Sequence, residues 1–318
     1  MSYSRQPSSK NLVMGFATNQ SEKSIRIFCQ SLRTVYSPEE CDIAIIVNRC
    51  EEYFRELARF GVQFVSTPNN YSATTSRGAK IANRLVLRSL RFLNWLGLRR
   101  WLPEIAASYP ILLETWHHPL LARWFACCRV LSINQIYKDV CITDVKDVFF
   151  QAPFFDGSSA TVNLFEDVDP YGRCYWNDKW YRGAFGETAF ARVLGRQPVC
   201  AGTIFGDQPA MLSMLQEFTG FIARSPFGRI DQAIFNHMVL THMFKTKCDI
   251  KPNIAGQVAT LGSGHAHQSI KIADDAICRA GDGGVIPIVH MYDRWPDTDA
   301  LCVRKYLTRE QVEPQVCK

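Results

Sequence analysis

The sequence predicts a single α/β domain: a mixed, mostly parallel, Rossmann-like sheet flanked by helices, with a helical insertion at about residues 79–119. Three observations carry that reading. Strand and helix signals alternate through residues 11–66, as parallel βαβ units require. A long helical stretch rich in leucine and arginine then breaks the alternation. Beyond it short apolar strands resume, two of them leading into acidic or imidazole side chains.

The elements follow in chain order. Residues 11–18 (NLVMGFAT) read as a buried strand. Ile25, Phe28, Leu32 and Val35 stand at helical spacing behind Ser21, a candidate N-cap. Residues 42–47 (DIAIIV) form a second strand, CEEYFRELARF a helix ended near Gly61, and VQFVS a third strand. The insertion mixes Ile81, Leu85, Phe92 and Trp95 with Arg84, Arg88, Arg91, Arg99 and Arg100. It fits two arrangements: a helix packed on the sheet with solvated arginines, or peripheral contact with an anionic membrane through residues 81–103. Residues 120–135 are helical, DVCITDVKDVFF reads as one strand, and ATVNLFED and PVCAGTIFG as two more. YWNDKWYRGAFG reads as loop, offering Trp176 and Trp180 as flat faces for an acceptor sugar or as packing. Two helices follow, QPAMLSMLQEFTGFIA and DQAIFNHMVLTHMF, and the last clear strand, GVIPIVH, ends at His290.

Composition narrows the function. Hydrophobic residues make up 47% and charged residues 21% of the 318, as in ordinary soluble globular proteins. The net charge of +6 is spread along the chain, which argues against a nucleic-acid partner and suits an anionic ligand. The opening MSYSRQPSSKN lacks the apolar core of a secretory signal, and no run approaches the ~20 apolar residues that span a bilayer. The twelve cysteines form no CxxC pair, and Cys29, Cys141 and Cys200 lie in apolar runs, so reduced thiols and a cytoplasmic location are expected. No G-x-G-x-x-G follows the first strand, which argues against a dinucleotide oxidoreductase.

The chemistry concentrates in CITDVKDVFFQAPF. Asp144 and Asp147 leave a buried strand with two residues between them. Carboxylates so close repel unless a cation, a shared proton or hydrogen-bond donors compensate. On a strand, i and i+3 point to opposite faces, so both reach one ion only if the chain turns after Asp144. Hard cations such as Mn²⁺ and Mg²⁺ take carboxylate oxygens together with substrate phosphates, and the imidazole of His290 is a third ligand for a Mn²⁺-like ion. The alternative is structural: Asp147 capping a turn, Asp144 paired with an arginine, and His290 hydrogen-bonded at its strand end.

TDVKDVFFQAPF, CAGTIFG, DQAIFN and PIVHMYDR, in that order, resemble nucleotide-sugar glycosyltransferases of the GT-A fold. The nearest likeness is to glycosyltransferase family 8, the glycogenin-like and galactinol-synthase-like enzymes, and to bacterial relatives with a TDVRD motif. The resemblance implies Asp144, Asp147 and His290 as ligands of Mn²⁺ or Mg²⁺ holding the diphosphate of a UDP-sugar. The family motif is Asp-x-Asp, so the Asp-x-x-Asp spacing here leaves open which aspartate touches the ion. The resemblance also implies that Ala17, Thr18 and Asn19 hold the nucleoside, and that Arg123 clamps phosphate or carboxylate. Arg77 and Lys80 are further diphosphate candidates. Gly202 admits the sugar, while Asp231 with Gln232 beside it meets donor or acceptor, Asp231 serving otherwise as an N-cap. The implied partners are a nucleotide-sugar donor and a glycan, lipid-linked or small-molecule acceptor. Two other readings stand beside it: a metal-dependent phosphatase with Asp144 as nucleophile, and a membrane-peripheral binding protein without catalysis.

Overall fold

The computed structural model describes residues 10–49, 51–69, 71, 76–96, 103–134, 136–157, 160–225 and 230–307. The chain runs β1 (Asn11–Phe16), α1 (Glu22–Val35), β2 (Cys41–Val47), α2 (Phe54–Ala58), β3 (Val62–Ser66), α3 (Arg77–Trp95), α4 (Pro103–Trp116) and α5 (Pro119–Ile133). It continues β4 (Asp139–Asp144), β5 (Val148–Phe150), β6 (Val162–Glu166), α6 (Tyr175–Ala191), β7 (Val199–Asp207), α7 (Gln208–Arg224), α8 (Asp231–Leu240) and β8 (Cys248–Lys251). The last part is β9 (Val258–Thr260), α9 (Gly264–Gln268), β10 (Ile270–Ala273), β11 (Ala276–Arg279), β12 (Ile288–His290) and α10 (Pro296–Tyr306).

The central sheet has seven strands in the order β3-β2-β1-β4-β7-β6-β8. Pairing is parallel from β3 through β4, antiparallel on both sides of β7, and parallel again between β6 and β8. Successive residues of β1 face opposite ways, and both faces are covered. Leu12 and Met14 pack into the core under Trp124 of α5 and Met211, Met214 and Phe218 of α7. Val13 packs with Ile25, Phe28 and Leu32 of α1 on the other face. Ser21 caps α1 as its sequence implies, accepting from the Ser24 amide at 3.2 Å.

Three expectations are corrected. DVCITDVKDVFF is two strands, and only β4 belongs to the central sheet; β5 joins a second, three-stranded sheet in the order β5-β12-β9. GVIPIVH contributes only Ile288–His290 as strand, antiparallel to β5 and parallel to β9, so His290 does not end a strand of the central sheet. YWNDKWYRGAFG is helical. It lies in α6, which buries Asn177, Tyr181 and Phe190, and breaks at Gly186 (φ 79°), so it carries no continuous apolar stripe. The insertion is helical as expected, in α3 and α4. No helix among the described residues is long and apolar enough to cross a membrane, and the ten described cysteines are free thiols.

Candidate metal centre

β4 delivers Asp144 at its carboxyl end, paired in register with Phe16 of β1. The chain then turns. Val145 is buried in the α1-side core, against Gly15 of β1, where a Cβ would overlap the Val145 side chain. Anchoring Val145 inward folds the next two residues back, and β5 starts at Val148 in register with His290 of β12. The Asp147 carbonyl accepts from the Met291 amide at 2.7 Å, tying the turn to the residue after His290. Two aspartates three residues apart thereby converge.

Asp144, Asp147 and His290 each offer one ligand atom, all within 4.8 Å of one another. Nε2 of His290 lies 3.5 Å from Oδ2 of Asp144 and 3.6 Å from Oδ1 of Asp147. Asp147 and His290 are buried, while Asp144 is partly open. Nδ1 of His290 sits 3.3 Å from Sγ of Cys200 and 3.5 Å from Oγ1 of Thr260. Those partners suit a proton on Nδ1 and leave the buried Nε2 facing only the two aspartate oxygens, beyond ordinary hydrogen-bond length. A buried nitrogen so placed, beside two carboxylate oxygens, fits a divalent cation that accepts mixed oxygen and nitrogen ligands. Gly202 of β7 preserves the space. A Cβ there would stand 2.8 Å from both Oδ2 of Asp144 and Nε2 of His290.

Arg123 of α5 stands behind the cluster. One terminal nitrogen is paired with Oδ1 of Asp144; the other lies 2.6 Å from Oδ2 of Asp231. Trp124 donates its indole N–H to the same Asp231 oxygen at 3.0 Å. Burial alone would lower the Arg123 pKa, but Asp144 and Asp231 raise it, so the guanidinium stays charged. Burial pushes the Asp144 pKa up, yet Arg123 and His290 outweigh it and hold it at about 2. The Asp147 pKa is raised by burial, and by Asp144 and Asp293, against the pull of His290 and Arg294. Burial disfavours the imidazolium of His290, but Cys200, Asp144 and Asp147 raise its pKa well above the ordinary range. The cluster draws positive charge.

A cleft of about 350 Å³ opens from Asp144 and Asp147 toward Thr18, Asn19, Tyr71 and His118. Asn19 adopts the left-handed region (φ 58°), which asparagine tolerates, and donates from Nδ2 to the Tyr71 carbonyl at 3.2 Å. The Tyr71 ring meets His118 edge-on at 4.9 Å. Lys146 also lines the cleft, and Arg294 reaches within 3.8 Å of Oδ2 of Asp147; both side chains are half exposed.

The structure thus gathers Asp144, Asp147, His290, Gly202, Arg123, Thr18 and Asn19, with Asp231 joined through Arg123. Asp231 is the first residue of α8; Ile230 holds the N-cap position and its side chain makes no capping bond. Ala17 is buried and donates its amide to the Ile46 carbonyl. Gln232 is committed to β7, accepting from the Ala201 amide and donating to the Val199 carbonyl, both at 2.9 Å. Arg77 and Lys80 form the first turn of α3 and do not line the cleft. Sequence reasoning missed Tyr71, His118, Thr260, Lys146 and Arg294. Only the last two lie inside the quoted motifs TDVKDVFF and PIVHMYDR, where a cation beside each acidic or imidazole residue was a readable signal. No protein-family model and no characterised protein matches the chain.

Proposed function

We propose that this protein is a metal-dependent glycosyltransferase of GT-A type. It moves a sugar from a nucleotide-sugar, first of all a UDP-sugar, to an acceptor hydroxyl on a glycan, a lipid-linked sugar or a small molecule. The observation that carries the reading is the convergence of Asp144, Asp147 and the buried His290 at the carboxyl end of β4, with the two aspartates in the wall of a cleft. Ligands of α/β sheets bind at that end of the strands.

Mn²⁺ or Mg²⁺ held by these three residues would supply Lewis-acid stabilisation of the charge developing on a departing diphosphate. The chain's own residues do the rest. Arg123 has both ends engaged by Asp144 and Asp231, so it positions Asp144, with Oδ2 turned toward His290, rather than reaching a phosphate. Lys146, 3.3 Å from Asp293, and Arg294, 3.8 Å from Asp147, are half-exposed cations beside the cluster in longer ion pairs than those of Arg123, and these turn to meet the phosphate oxygens. Thr18, Asn19 and the Tyr71 ring line the other end of the cleft and hold the nucleoside. Gly202 leaves the sugar room against β7. Trp176, exposed on α6 with its ring 5.9 Å from that of Trp180, is a stacking face for an acceptor sugar. An aspartyl-phosphate route through Asp144 is disfavoured, because one of its oxygens is paired with Arg123.

The test is a panel of nucleotide-sugars incubated with Mn²⁺ or with EDTA, using wild type and Asp147→Ala. Donor turnover by wild type with Mn²⁺ alone is the expected pattern. Turnover that survives EDTA and Asp147→Ala unchanged would remove the metal from the reading; no turnover of any donor would remove the transferase.

A further inference from the structure

Helix α3 buries little of itself. Leu87 and Leu90 face inward at 8% and 7% exposure, whereas Ile81, Leu85, Phe92 and Trp95 are 50%, 55%, 57% and 77% exposed. At ~100° per residue, Ile81, Leu85, Phe92 and Leu96 fall within about 60° of arc on the outer side. Arg77, Arg84, Arg88 and Trp95 run along one margin of that stripe, and the Phe92 and Trp95 rings stack at 5.8 Å. From Arg77 to Pro103, both included, the sequence holds seven Lys and Arg residues and no Asp or Glu.

We propose that α3 is an interfacial helix that seats this protein on an anionic lipid surface. An exposed apolar stripe edged by cations, ending in a tryptophan, has the chemistry of a helix lying in the headgroup layer. Arginine stems can lie along the acyl boundary while their guanidinium ends reach lipid phosphates and carboxylates. The choice of lipid rests on charge complementarity: cations edge the stripe and the sequence from Arg77 to Pro103 holds no acidic residue, so an anionic surface is the matching occupant. The inference rests on α3 alone and does not need the transferase reading. One consequence joins the two: Tyr71 lines the cleft and Arg77 opens α3 six residues later, at most ~20 Å of chain. Seated through α3, the cleft would lie close to the surface that carries a lipid-linked acceptor.

Flotation of the full chain tests this directly, with phosphatidylcholine vesicles alone and with phosphatidylserine added. Binding is expected only to the vesicles containing phosphatidylserine, to weaken with added salt, and to be accompanied by a blue shift in tryptophan fluorescence. The Arg84→Gln, Arg88→Gln double variant should bind roughly thirtyfold more weakly, about fivefold per cation. Leu85→Ser, Phe92→Ser should lose binding by roughly tenfold or more. All four positions are exposed, so unchanged thermal melts are the folding control. Absence of vesicle binding at low salt, or binding that neither pair of substitutions weakens, overturns the proposal. So does tight binding to polyglutamate that the serine pair leaves intact, an outcome that would assign the face to an acidic protein.

Discussion

Gly202 of β7 faces His290 of β12 with no room between them for a side chain: a Cβ at position 202 would stand 2.8 Å from Nε2 of His290, and closer still to Cε1. Two sheets meet at this point, since β7 lies in the central sheet and β12 in the smaller one. The absence of one methyl group is what leaves Nε2 open to a ligand.

Gly202→Ala should therefore act on the metal site before it acts on the fold. The methyl must displace the imidazole ring, Asp144 or the β7 backbone. Loss of Mn²⁺ affinity by about 10- to 100-fold is expected, the range found when groups that orient metal ligands are disturbed. Mn²⁺ titration followed by electron paramagnetic resonance reads it. Wild-type affinity in a folded Gly202→Ala protein would mean that Nε2 of His290 is not a ligand.

Metal loading should also be visible as stability. A cation that binds only the folded chain adds ~2.7 kcal/mol at a hundredfold excess over its dissociation constant. For a chain of this size that corresponds to a rise of roughly 5 °C in melting temperature. Thermal melts with Mn²⁺ should show the rise, EDTA should reverse it, and Asp147→Ala or His290→Ala should abolish it. A rise that persists in both variants would place the cation elsewhere.

Arg123 connects this site to the core. Its two terminal nitrogens reach Asp144 on β4 and Asp231 on α8, and Asp231 is 4% exposed. Arg123→Ala leaves a buried carboxylate without its cation, at a cost of ~3–5 kcal/mol. Adding Asp231→Asn to Arg123→Ala should recover part of that loss, because the asparagine needs no counter-charge and its side-chain oxygen can still accept from Trp124. Urea melts of both variants decide it. A double variant no more stable than Arg123→Ala would show that Asp231 does not depend on Arg123 for its charge balance.

Much of the fold is legible in the sequence where local signals and burial agree. β1, β2, β3 and α1 carry apolar patterns of the right period, and Ser21 marks a helix start that the structure keeps. The grouping of Asp144, Asp147 and His290 is what the resemblance of their motifs implies, but the route by which the chain brings them together is not readable from the sequence. The apolar run through DVCITDVKDVFF hides the turn at Val145, because that residue is as buried as the strands on either side. The role of Gln232 is equally hidden. It is set by β7, some thirty residues earlier, whose backbone takes both ends of its amide. The resemblance implies Arg123 as a clamp for phosphate or carboxylate; the structure has both of its ends occupied by carboxylates of the chain itself.

His117 gives the protein a predictable weakness to acid. The ring is buried, stacks on Phe125 at 5.6 Å, and has neither nitrogen hydrogen-bonded among the described residues. Burial, reinforced by Arg91 nearby, lowers its pKa from 6.5 to about 3. The folded state thus holds His117 neutral where the unfolded chain takes up a proton. The corresponding stability is fully present above pH ~6.5 and is lost progressively as pH falls toward ~3. At pH ~4.5, two units below the unfolded value, the loss from this residue is about 3 kcal/mol. His117→Phe keeps an aromatic ring against Phe125 and removes the titration. Urea melts at pH ~7 and ~4.5 should then show the gap between the two conditions narrowing by ~2–3 kcal/mol in the variant. An identical gap in both proteins would show that His117 is protonated inside the fold or reached by water.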